Sequence, residues 1–139
     1  MEVIARADPH VGAHVFVYGT LRSGFIDNEA TLAFRTGARF VSDGWAAGAM
    51  YSTGWYPAMV EGREGRVHGE IWQIEAPGLM DALDDYEGLS GPDPREYDRV
   101  RRRIATPRGA VEAWVYVFLR PVDESRRILS GDWADASRP

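Results

Sequence analysis

Short β-rich runs broken by glycine dominate the hydrophobic pattern of this chain, and helical spacing surfaces in two brief stretches. The first run, residues 14–18 (HVFVY), ends at Gly19 and predicts a strand feeding a loop. A short helix is expected over 28–35, with Asp27 or Asn28 available to cap it. Strand candidates then crowd together at 39–42, 44–51 and 58–61, and residues 67–74 (VHGEIWQI) alternate over a longer span. Behind Pro77, a residue tolerated where a helix begins, Leu79, Met80, Leu83 and Tyr86 recur at helical spacing until Gly88 marks the stop. Residues 97–106 and 110–119 read as two strands joined by Pro107-Arg108-Gly109, the strongest hairpin signal in the sequence.

Many short strands with two short helices make an α+β fold rather than an alternating β-α-β one. A small mixed β-barrel with short flanking helices would give these strands a shared interior. Residues 1–12 are polar and read as a loose leader, 13–120 as the folded domain, and 121–139 as a surface tail.

Composition narrows the chemistry. The 139 residues suit one domain, and 45% apolar residues suffice for a core. There is no Cys, which excludes disulfides, thiolate nucleophiles and cysteine metal sites. All 16 basic residues are Arg, so Schiff-base lysines and P-loop chemistry are excluded as well. A net charge of −5 argues against a nucleic-acid partner. No run approaches the roughly 20 apolar residues that span a bilayer, and the N-terminus lacks a secretory signal, so no membrane partner and a cytoplasmic location are expected.

Among candidate groups, Glu87 stands out. It lies four residues after Leu83 and seven after Met80, on the apolar face of its helix, whereas Asp81, Asp84 and Asp85 are expected in solvent. Burial and the helix C-terminus both disfavour a negative charge there, which tunes a carboxyl toward acid–base work. The alternative is a frayed last turn with Glu87 in water.

The loop Tyr18-Gly19-Thr20-Leu21-Arg22 offers backbone N–H groups and a guanidinium to an anion, although a glycine after a strand is also an ordinary turn. Arg99, Arg101 and Arg103 share a strand face, either a docking stripe for an acidic partner or RNA or a solvated outer face, which the net negative charge favours, with Arg102 as the misfit on the inner side. His10, His14 and His68 have no ligand-like spacing, so no metal is expected. The five Trp residues are scattered, most of them expected in the core.

In order, VFVYGTLRSG (15–24), YPAMV (56–60), VHGEIWQI (67–74), LDDYEG (83–88), EYDRV (96–100) and AWVYVF (113–118) resemble the gamma-glutamylcyclotransferase-like family, especially its gamma-glutamylamine cyclotransferase branch. The Y-G-T-L opening followed by D-D-Y-E-G at a helix end carries most of the resemblance. It implies a compact mixed barrel with a cavity between the first loop and the helix that ends in the catalytic glutamate. By position, Tyr18, Gly19, Thr20 and Leu21 become the substrate loop and Glu87 the acid–base, with Tyr97 and Tyr116 as pocket tyrosines.

The implied reaction is cofactor-independent. The α-amine of a small-molecule gamma-glutamyl amine or amide attacks its own γ-carbonyl, releasing an amine and 5-oxoproline. The connection 88–96 is long for that branch, and the tail GDWADA (131–136) has no counterpart in it. Two other classes stay open: a non-catalytic small-metabolite-binding protein on the same scaffold, and an interaction module using the Arg stripe.

Overall fold

A computed structural model describes residues 8–19, 21–22, 29–92 and 94–136. Among them the chain runs β1 (His14–Val17), α1 (Glu29–Gly37), β2 (Ala38–Ala47), β3 (Ala49–Ser52) and β4 (Pro57–Val60). It continues through β5 (Arg66–Ile74), α2 (Leu79–Tyr86), β6 (Tyr97–Ile104), β7 (Val111–Phe118), β8 (Arg127–Ile128) and α3 (Trp133–Ala136). The expected strands at 39–42 and 44–51 are mostly one strand, β2, with a bulge between Phe40 and Ser42. The proposed helix caps Asp27 and Asn28 lie outside the described residues.

Strand β1 is the centre of a five-stranded sheet of order β2-β5-β1-β7-β6, antiparallel to β5 and parallel to β7. A second sheet has the order β4-β3-β8. Alternation along β1 sends Val15 and Val17 to one core and Phe16 to the other. The first core gathers Phe34 of α1 and Met80 and Leu83 of α2; the second gathers Met50 and Met59 of the smaller sheet. Gly69 permits the close β1–β5 approach, since a Cβ there would stand 2.4 Å from the Val17 carbonyl oxygen and 2.5 Å from Phe16 Cζ.

The barrel expectation needs correction. Among the described residues, the edge strands β2 and β6 pack side by side but are linked by backbone hydrogen bonds only at the Trp45–Ala105 bridge just past the end of β6, with N–H···O distances of 2.9 and 3.0 Å. Beyond that pair one chain enters the Thr106–Gly109 turn and the other crosses Gly48 into the second sheet, so no ladder closes the structure. The fold is a layered α+β arrangement, with α1 and α2 on one face of an open sheet and the smaller sheet, joined by Trp133 of α3, on the other.

The described parts of the leader and of the tail are tied more firmly than their polarity predicts. The Gly12 N–H donates to the Ile74 carbonyl at 2.8 Å and the Gly78 N–H donates to Asp8 Oδ2 at 2.7 Å, so the described part of the leader, 8–12, is attached to the fold. In the expected surface tail, β8 pairs with β3 and Trp133 is buried in the second core. Trp72 is buried as well, whereas Trp55 is fully out in solvent. Among the described residues no helix is long and apolar enough to cross a membrane.

Candidate active site

Helix α2 buries Leu79, Met80 and Leu83 and ends with Glu87 as its C-cap. The Glu87 N–H still donates to the Leu83 carbonyl at 2.9 Å, so the last turn is wound rather than frayed. Gly88 then takes a left-handed φ of 80°, which stops the helix where a side chain would be strained. Glu87 therefore continues the buried stripe and lines a cavity of about 400 Å³. Burial raises its carboxyl to about 7, and among the described residues its side chain has no hydrogen-bond partner.

Four other elements complete the cavity. Tyr18, Gly19 and Leu21 come from the end of β1 and its loop, Tyr56 and Pro57 from the start of β4, Glu96 and Tyr97 from the start of β6, and Tyr116 from β7. The Tyr18 hydroxyl donates to the Tyr116 carbonyl, and the Tyr97 hydroxyl to the Pro57 carbonyl at 2.6 Å. The Tyr116 hydroxyl donates to Asp84 Oδ1 at 2.7 Å. Burial pushes all three phenols well above their usual range, and the Glu87 charge adds to each shift. Each neutral phenol already directs its O–H into one of these hydrogen bonds, so its oxygen can only accept from a bound molecule.

Of the residues singled out from sequence, Tyr18, Gly19, Leu21, Glu87, Tyr97 and Tyr116 meet around this one cavity. Thr20 lies outside the described residues. Arg22 is elsewhere: its buried guanidinium donates to Asp132 Oδ1 at 2.8 Å and lies 3.3 Å from His68 Nδ1. It is not among the cavity-lining residues.

Three features escaped the sequence reading. Tyr56 and Glu96 form the cavity mouth, joined at 2.7 Å, and no spacing signal connects them. Asp84, expected in solvent, is instead partly buried and bound by Arg99 Nε at 2.8 Å. Its signal was available, because it lies four residues after the buried Met80. On the Arg stripe, Arg99 and Arg101 both lie over the Trp114 ring at 4.4 and 4.8 Å, while Arg102, the expected misfit, pairs with Glu61 at 2.6 Å.

A sequence model described as "Gamma-glutamyl cyclotransferase, AIG2-like" matches residues 15–135. The chain belongs to this family. This AIG2-like chain is 38% identical over 125 residues to the gamma-glutamylcyclotransferase family protein YtfP of Escherichia coli K12, a match covering 89% of this chain and 98% of that protein. The solution structure of Escherichia coli ytfP superimposes with a TM-score of 0.58 at 35% identity, covering 90% and 99% of the two chains. A mouse AIG2-like protein gives a TM-score of 0.67 at 26% identity, covering 83% and 82%. The family match runs to residue 135, so the tail GDWADA (131–136), expected to lack a counterpart, falls almost wholly within it, together with β8.

Proposed function

We propose that this protein is a gamma-glutamyl cyclotransferase that releases 5-oxoproline and an amine from a gamma-glutamyl amine or amide. Family membership supports a cyclotransferase-type function. The observation that carries the finer reading is Glu87, a carboxyl poised near neutrality by burial in a cavity of substrate size.

The substrate arrives with its α-amine protonated. Glu87, as carboxylate, takes one proton; the freed nitrogen attacks the γ-carbonyl carbon and closes a five-membered ring. The bond between that carbon and the departing nitrogen then breaks. Overall two protons leave the α-nitrogen and both end on the departing nitrogen, which is released as an ammonium. Glu87 carries them one at a time and returns to its starting state. The backbone N–H groups of Gly19 and Leu21 are the donors assigned in this reading to the α-carboxylate or the developing oxyanion. The acceptor oxygens of Tyr18, Tyr97 and Tyr116 favour a cationic amine over an anion at the cavity wall. Because the attack is intramolecular, much of the acceleration comes from folding the substrate into a reactive geometry.

Incubation with a panel of gamma-glutamyl amines, dipeptides and glutathione, followed by mass spectrometry, tests this. The expected result is 5-oxoproline from at least one member, reduced about 100-fold or more in Glu87→Gln. Binding of such conjugates without turnover would turn the reading toward a metabolite-binding protein.

A further inference from the structure

Asp84 stands one helical turn before Glu87. Its carboxylate receives both Nε and Nη2 of Arg99, at 2.8 and 3.1 Å, and the Tyr116 hydroxyl at 2.7 Å. The Arg99 guanidinium lies 4.4 Å from the Trp114 ring centroid, and its Nη1 is 3.5 Å from His10 Nε2. The Asp84 and Arg99 side chains are 19% and 14% exposed. A nearly dry ion pair thus joins α2 to β6 and, through Tyr116, to β7, immediately beside the cavity.

We infer that Asp84 and Arg99 are positioning residues for Glu87: the pair docks the last turn of α2, holds Tyr116 as an acceptor in the cavity wall, and balances charge next to the Glu87 carboxyl. Its effect on turnover presupposes the acid–base role proposed above for Glu87; its effect on the carboxyl itself does not.

A planar fork with two N–H···O contacts fixes direction as well as distance, which a single contact would not. An unpaired Asp84 anion one turn away would resist ionisation of Glu87, and an unpaired Arg99 would promote it. Held together, the two charges cancel at Glu87, leaving burial as the cause of its shift. The other groups facing Glu87 are Tyr18, Tyr56, Tyr97 and Tyr116, all raised above the ordinary phenol range and therefore neutral, and Glu96 at the mouth. Asp85 is turned outward to Ser90, and Asp8 and His10 lie behind Arg99.

The test is an NMR titration of the Glu87 side-chain carboxyl in the full chain, alongside the pH profile of 5-oxoproline formation. Arg99→Met is expected to raise the midpoint by about half a pH unit or more, and Asp84→Asn to lower it by a similar amount. Arg99→Lys, which keeps the charge, stays near the wild type in midpoint, and the double variant Asp84→Asn/Arg99→Met returns toward it. The pH profile of turnover moves in the same directions. A purely structural pair would move none of these midpoints. If Arg99→Met fails to fold, the contrast between Asp84→Asn and Arg99→Lys carries the test. Folded variants whose midpoints agree within about 0.2 unit overturn the inference. Absence of 5-oxoproline from every substrate would count against the proposed activity, while the midpoints would still decide the positioning claim.

Discussion

Arg22 and Asp132 are 110 positions apart in the chain, and their side chains meet at 2.8 Å. Asp132 also caps the Ala134 N–H at 2.9 Å and lies 3.1 Å from His68 Nδ1, so one carboxylate fastens the C-terminal segment to β5 and to the residue that follows the cavity loop. Partial burial alone would raise its pKa, but the bonds from Arg22, Ala134 and His68 prevail and hold it at about 2. A depressed carboxyl contributes stability above its unfolded value near 4 and loses it as pH falls through the folded value. Asp132→Asn is therefore expected to cost about 2 kcal/mol at neutral pH. In denaturant titrations the gap to wild type should narrow as pH drops from 4 toward 2. A gap that stays constant over that window would show that the ion pair contributes nothing.

Glu87 has the opposite sign. Its folded pKa is raised from 4.5 to about 7, so between those values the native state binds more protons than the unfolded chain and stability falls as pH rises. Glu87→Gln removes that cost. The variant is expected to be more stable than wild type at pH 8, by about 2 kcal/mol at most because the half-buried carboxyl keeps some solvent. The difference should vanish near pH 4. Chemical denaturation at the two pH values checks it; a less stable Glu87→Gln at pH 8 would mean the carboxylate is held by favourable contacts instead.

Much of this arrangement could be read from short-range patterns. The hairpin around Pro107-Arg108-Gly109 was visible because β6 and β7 are neighbours in the chain, and it is found at Tyr97–Ile104 and Val111–Phe118. The position of Glu87 on the buried face of α2 followed from counting residues back to Leu83 and Met80. Features made by distant partners were not readable. Asp84 looks like any exposed acid until Arg99 and Tyr116 are brought to it, and Arg22 looks like an anion ligand until Asp132 arrives. Barrel closure likewise depends on whether two edges meet along a ladder or at a single bridge, which no local pattern specifies.

The β1–β5 contact makes a stability prediction without reference to chemistry. At Gly69 the atoms that a methyl group would strike are the Val17 carbonyl oxygen at 2.4 Å and the Phe16 ring, neither at the end of a flexible chain. Gly69→Ala is expected to lower stability by about 2 kcal/mol or more, through separation of the central strands. Because β1 leads into the loop of the cavity, its affinity for 5-oxoproline should fall as well. A thermal unfolding midpoint equal to wild type would show that the strands separate at little cost.

The cyclisation itself is tested most directly by turnover of a gamma-glutamyl amine in ¹⁸O-labelled water. Intramolecular attack predicts 5-oxoproline carrying no label, formed by the wild type and about 100-fold or more slowly by Glu87→Gln. Labelled glutamate as the product, or unlabelled 5-oxoproline formed equally fast by both proteins, would contradict the account.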